Sequence, residues 1–221
     1  MKIGDTVTLC DGENREYLCE LEEFSGSEIV ARIVEVKNSV TEPPYRITLM
    51  QCLPKSDKME LLIQKAVELG AFAIIPTEMS RCVVRLEEKK KKSKIERWQA
   101  ISESAAKQSK RNIIPEIMNV MTFGDALQFA KNLDVILVPY ESKDGMLSTK
   151  KALSEISPGK SVGIFIGPEG GFDNKELEKA LTAGGEIISL GKRILRTETA
   201  ALTALSMCML YIEMNENGEN G

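Results

Sequence analysis

Two rhythms of apolar and polar positions divide the chain. Up to Cys52 the apolar residues recur with a period of two in short valine- and isoleucine-bearing runs, which predicts strands over residues 6–10, 17–21, 29–36 and 45–52. Turn residues punctuate these runs at Asp11-Gly12, Ser25-Gly26 and Pro43-Pro44. The pattern predicts a small β barrel or curled sheet. From Pro54 onward the rhythm changes. Leu61, Leu62, Ala66 and Leu69 mark one face of a helix that starts near Ser56 or Asp57 and stops at Gly70. Strands are predicted over residues 71–76, 116–120, 133–139, 161–166 and 186–190, separated by helices over 93–109, 123–131, 146–155, 174–183 and 197–213. That alternation implies an α/β domain, a mainly parallel sheet covered by helices. Residues 215–221 are polar and glycine-bearing and read as a frayed tail.

Composition narrows the chemistry. The 221 residues are 43% hydrophobic, enough for a substantial core in one large domain or two small ones. No run reaches the roughly 18 to 20 apolar residues of a membrane span, and the amino terminus lacks a signal pattern, so a cytoplasmic protein without a membrane partner is expected. Cys10, Cys19, Cys52, Cys82 and Cys208 form no C-x-x-C pair, which fits reduced thiols and implies no metal site. Histidine is absent, so hydrolases of the Ser-His-Asp and Cys-His types are excluded. The net charge of −4 conceals segregation: residues 1–52 hold 5 Lys and Arg against 10 Asp and Glu, and residues 53–114 hold 14 against 8. In that basic middle, Arg81 and Arg85 precede the run Lys89, Lys90, Lys91, Lys92 and Lys94, and Lys107, Lys110 and Arg111 follow. Such a stripe could neutralise nucleic-acid phosphates. A solvated helix start balanced by Glu87, Glu88 and Glu96 accounts for it equally well.

Two phrases stand out at the ends of predicted strands, the edge at which open α/β sheets bind ligands. The first is Gly167-Pro168-Glu169-Gly170-Gly171-Phe172. Glycine loops before helices ordinarily hold phosphate, yet Pro168 has no N–H to donate and Glu169 brings a negative charge. A neutral or cationic ligand suits the loop better, such as an adenosine carrying a sulfonium. A tight strand-to-helix turn is the plain alternative. The second phrase runs from Leu190-Gly191 through Lys192, Arg193, Ile194, Leu195 and Arg196 to Thr197-Glu198-Thr199-Ala200. Cations are disfavoured at a helix amino terminus, so their presence there suggests a use, although an Arg196 ion pair with Glu198 or Glu169 would also account for them.

Together the two phrases resemble the paired cofactor motifs of the ribosomal RNA small subunit methyltransferase E family, a branch of the SPOUT superfamily. Lys58-Met59-Glu60, the stretch from Ile63 to Gly70, Ser80-Arg81-Cys82, Arg97-Trp98 and Gln108-Ser109 through Ile114-Pro115 fall in the family's order. The resemblance covers nearly the whole chain. It implies a SPOUT-type α/β knot domain over residues 53–214, with a deep trefoil knot, preceded by a PUA-like β-barrel RNA-binding domain over residues 1–52. That barrel is expected to be shortened at its amino terminus relative to the family.

The resemblance further implies a homodimer that binds S-adenosylmethionine and methylates N3 of a uridine in the decoding region of 16S ribosomal RNA. By position, the cofactor pocket would comprise Leu137, Val138 and Pro139, then Gly167, Pro168 and Glu169, then Leu190, Gly191, Ile194 and Leu195. Arg196 is expected to stabilise the uracil anion, and Glu198 or Glu169 to accept the proton or position the base. Arg81, Arg85, Lys107, Lys110 and Arg111 are the expected RNA contacts, most plausibly on the small ribosomal subunit.

Overall fold

Three antiparallel strands, β1 (Thr6–Cys10), β2 (Arg15–Ser25) and β3 (Glu28–Asn38), form the first unit. The computed structural model describes residues 1–12, 15–38, 41–55, 58–140 and 145–216. Within those residues this unit is an open sheet in the order β1-β2-β3 rather than a closed barrel. Cys19 and Leu21 are buried, while Leu9, Ile29, Ile33, Val34 and Val36 face outward.

The fourth predicted strand leaves this unit. β4 (Arg46–Cys52) pairs in parallel with β5 (Ala73–Glu78) on one side and β9 (Ser161–Ile166) on the other, so the division expected after Cys52 falls before β4 instead. Every residue of β4 except Arg46 is buried. A strand covered on both faces reads as a continuous apolar run, and Ile47, Leu49 and Met50 supply one.

The larger sheet is parallel throughout. It continues beyond β5 to the short β6 (Glu116–Ile117) and β7 (Met121–Thr122), and beyond β9 to β8 (Val135–Pro139) and the edge strand β10 (Gly185–Ile188). Helices α1 (Lys58–Glu68), α2 (Glu88–Gln108), α3 (Phe123–Ala130), α4 (Met146–Ser154) and α5 (Asn174–Thr182) connect the strands. The expected start of α1 at Ser56 or Asp57 lies outside the described residues. α2 begins earlier than predicted because its lysines are good helix formers behind Glu87 at the N-cap. β9 and β10 are not neighbours, since β8 lies between them. The last helix, α6 (Thr197–Glu216), returns to pack on β4, β9 and α1. It takes in the start of the predicted tail, and residues 217–221 lie outside the described residues. All five cysteines are free, and no described helix is long and apolar enough to cross a membrane.

One buried ion pair fastens the entry into β4. Arg111, only 8% exposed, donates to Glu42 at 2.7 Å and to the carbonyls of Val67 and Ala71 at 3.1 and 2.6 Å. The same Glu42 carboxylate accepts the backbone N–H groups of Asn112 and Ile113 at 2.8 and 3.0 Å. Arg111 is therefore a structural residue and not the exposed RNA contact expected from the basic stripe. Its neighbour Lys110 takes a left-handed φ of 58° at the end of α2, which turns the chain back so that Arg111 points inward. Replacing Arg111 by Met leaves Glu42 buried and uncompensated, and is expected to cost about 3–5 kcal/mol in urea unfolding. Combining it with Glu42→Leu should cost less than the two single changes together.

Candidate active site

Three loops meet at the carboxyl ends of the parallel strands. After β9 the backbone turns through Gly167-Pro168-Glu169-Gly170-Gly171, closed by a hydrogen bond from Gly171 N to Pro168 O at 2.9 Å. A Cβ on Gly167 would meet the Phe172 ring at 2.9 Å, so the buried aromatic is packed directly on bare backbone. Asp173 then caps α5 in a reciprocal capping box with Glu176. After β10, Thr149 on α4 grips Ser189 twice, donating to its carbonyl and accepting from its N–H, both at 2.8 Å. This fixes the start of the Leu190 loop, where Gly191 adopts a φ of 103°.

The third element is the beginning of α6. Thr197 is 5% exposed; its hydroxyl donates to Gly167 O at 2.9 Å and accepts from Gln51 Nε2 at 3.1 Å. One side chain thereby joins the end of β4, the loop after β9 and the helix that follows the Leu190 loop.

Two adjoining cavities open between these loops. One, of about 630 Å³, lies between Pro139, Tyr140, Met146 and the loop from Ser189 to Leu195. The other, of about 400 Å³, is walled by residues 166–172 and shares Pro139, Tyr140, Ile194, Leu195 and Ala200 with the first. The structure brings together Pro139, Gly167, Pro168, Glu169, Leu190, Gly191, Ile194 and Leu195 as expected. Leu137 and Val138 do not join them, because both are fully buried within β8, in the sheet's core. Tyr140 and Met146 were missed, since neither carries a chemical signature in sequence; Phe172 and Thr197 stand in the two phrases but were not assigned to the pocket. Tyr140 and Phe172 meet edge-on at 6.3 Å between ring centres.

The donor set decides what ligand fits. The walls are apolar and aromatic, the polar groups are mostly backbone, the 166–172 wall carries one exposed carboxylate, Glu169, and the loop after β10 brings Lys192 and Arg193 to the adjoining cavity. Pro168 contributes no N–H. The pattern suits a flat apolar group with a cationic centre and a distal anion, which S-adenosylmethionine combines, better than it suits a polyphosphate.

The expected catalytic pair lines neither cavity. Arg196 is exposed between the cavity residues Leu195 and Thr197, at the rim. Glu198 turns instead toward α1, where Lys58 Nζ lies 3.0 Å from Oε1. Burial works to raise the Glu198 carboxyl, but its own backbone N–H, Lys58 and the nearby Arg196 outweigh that and hold it below the usual carboxylate range. Of the other expected RNA contacts, Arg85, Lys107 and Lys110 are exposed, with Lys107 paired to Glu103 at 2.7 Å. Arg81 is exposed too, but its guanidinium is turned onto the loop after β9, 3.1 Å from Gly170 O.

Comparison with known proteins agrees with this geometry. Residues 41–209 match the profile of a family described as RNA methyltransferase domain. The chain is 41% identical over 217 residues to ribosomal RNA small subunit methyltransferase E of Bacillus subtilis (strain 168), spanning 97% of this chain and 85% of that protein. It is 36% identical to the protein of the same name from Mesomycoplasma hyopneumoniae (strain 232), over 95% and 88% of the two chains. The crystal structure of ribosomal RNA small subunit methyltransferase E from Neisseria gonorrhoeae bound to S-adenosyl methionine superposes with a TM-score of 0.82 at 31% identity, covering 96% of this chain and 85% of that one. A profile that runs from the approach to β4 into α6, and identity of 41% over nearly the whole length, place this chain in the ribosomal RNA small subunit methyltransferase E family.

Proposed function

We propose that this protein transfers a methyl group from S-adenosylmethionine to N3 of a uridine in the decoding region of 16S ribosomal RNA. The observation that carries the reading is the pair of loops after β9 and β10, locked to each other through Thr197, around a cavity whose described lining holds one carboxylate, Glu169, and no phosphate cradle. Bound there, S-adenosylmethionine supplies an activated methyl group on a sulfonium.

The chain's own residues orient and stabilise. The uridine N3–H is a weakly acidic imide, and as its proton leaves, negative charge spreads to O2 and O4. Arg196, at the rim beside the cavity, is the cation for that charge. Glu198 is the positioning group, because a carboxylate held below its usual range by a neighbouring ammonium is a poor base. Glu169, exposed on the cavity wall, is the better placed carboxylate to receive the proton, directly or through water. N3 lies on the pairing edge, so the base must be unpaired or flipped out.

Three further features belong to the same reading. The return of α6 from the edge strand β10 to β4 and β9 is the path a trefoil knot requires. Ile194 is 95% exposed and Leu147 74% exposed beside the cavity, and Leu210 and Met214 are exposed on α6, whose apolar residues are not confined to one stripe; a second copy covering them makes a homodimer. The three-stranded sheet serves as the PUA-like RNA-binding part, with the exposed Arg85, Lys107 and Lys110 giving phosphate contacts on the assembled small subunit in the cytoplasm.

Incubation with labelled S-adenosylmethionine and unmodified small ribosomal subunits is expected to yield N3-methyluridine by mass spectrometry of the nucleosides; a different methylated nucleoside, or none, refutes the assignment. Arg196→Ala should lower the transfer rate by about 10²–10³-fold while cofactor binding, read by calorimetry, stays within about twofold. The Lys58–Glu198 pair has its own signature. Because the folded carboxyl sits below its unfolded value, its contribution to stability is present above the unfolded value and disappears as pH falls through the folded one. Lys58→Met should therefore move the acid limb of the urea-midpoint profile to higher pH, and Lys58→Arg should restore it.

A further inference from the structure

Arg81 belongs by sequence to the basic stripe, yet its guanidinium is spent on the cofactor loop. Nη1 donates to Gly170 O at 3.1 Å and Nη2 lies 3.8 Å from the Asp173 carboxylate at the start of α5. The aliphatic stem also covers Gly170: a Cβ placed there would lie 3.7 Å from Arg81 Cβ. The preceding residue strengthens the attachment. Ser80 donates from both its backbone N–H and its hydroxyl to Glu176 Oε1, at 2.8 and 3.0 Å. Glu176 is only 6% exposed, and its other oxygen accepts Asp173 N at 3.2 Å. The turn after β5 is thus bolted to the unit that follows β9, across 89 residues of sequence in the case of Arg81 and Gly170.

Arg81 does not line either cavity. It acts on the loop from outside, holding the carbonyl of Gly170 while the loop's inner face, with Glu169, borders the cavity. It remains 47% exposed in its side chain, so guanidinium donors are still open to solvent.

We propose that Arg81 is a positioning residue for the cofactor loop and, because it can hold Gly170 and an RNA phosphate with different donors of one planar fork, the point at which RNA docking and cofactor binding are linked. This inference rests on the reading of the cavity as an S-adenosylmethionine site. A ligand that stiffens the loop favours the Arg81 geometry that a phosphate would meet, and linkage makes the effect reciprocal. A residue that only contacted RNA would have no influence on cofactor affinity in the RNA-free protein.

The test is titration calorimetry of S-adenosylmethionine into the full chain and its Arg81→Ala variant, without and with deproteinised 16S ribosomal RNA. The variant is expected to bind the cofactor about five- to tenfold more weakly without RNA, the scale of one lost hydrogen bond at a solvent-exposed position. RNA should tighten cofactor binding to the unaltered chain and leave the variant unchanged. Equal cofactor affinity of the two proteins without RNA overturns the positioning role, and an equal effect of RNA on both removes the linkage. If Arg81→Ala lowers the melting temperature, Arg81→Lys, which keeps charge and stem but loses the fork, is read by the same criteria. Failure of the unaltered chain to bind the cofactor refutes the cavity assignment itself, a result distinct from either of these.

Discussion

The hydroxyl of Thr197 is the joint on which the site depends. A hydroxyl offers one donor and two acceptor positions. Here the donor goes to the Gly167 carbonyl and one acceptor position to Gln51, both in the buried interior. Parallel strands share no hairpin, so nothing in the chain path itself holds their carboxyl ends in register with the loops beyond them. Thr197 supplies that tie between β4, the loop after β9 and the start of α6. Gln51 completes the joint by donating also to Cys52 O at 2.8 Å, and it is fully buried while doing so. A valine at position 197 would keep the shape and lose the hydrogen bonds, stranding a buried carbonyl and a buried amide.

What the sequence revealed follows from what is local. The helix and strand rhythm after Pro54 predicts α3 from residue 123, α4 from 146, α5 from 174 and α6 from 197, the residues at which each begins, because caps and periodicity act within a turn or two. Both loop phrases likewise announce themselves through glycines and charges. Partners distant in sequence stayed hidden. Arg111 looked like one more cation of a basic stripe because Glu42 is 69 residues away. β4 looked like a continuation of the first sheet because alternation cannot say which sheet a strand joins. Leu137 and Val138 are adjacent to cavity residues in the chain, but strand geometry sends them into the core.

The basic stripe itself is less basic than its composition. Lys90 lies 3.2 Å from Glu87, Lys91 3.7 Å from Glu78, and Arg97 2.8 Å from Glu60. Of these only the Lys90–Glu87 pair is exposed on both sides, and such a pair adds little to stability, about 1 kcal/mol at most, and exchanges readily for a phosphate. In the first sheet Arg32 is held by Glu20 and Glu22, at 2.6 and 2.8 Å, so this acidic sheet offers little free positive charge at that point. Attraction for an RNA backbone has to come from elsewhere on the surface.

The start of α6 is where positive charge accumulates. Lys192, Arg193 and Arg196 lead into a helix whose amino terminus already carries a partial positive charge, and Lys58 does the same at the start of α1. Each cation so placed costs a few tenths to about 1 kcal/mol. Glu198 bridges the two helix starts, and its second oxygen, Oε2, is buried with no hydrogen-bond partner among the described residues. Arg196 stands exposed just ahead of a helix start that already carries partial positive charge, and in the proposed reaction it is the cation set against the uracil anion. A cation ahead of a helix start costs stability, and on the proposed reading that cost is set against the negative charge of the uracil anion.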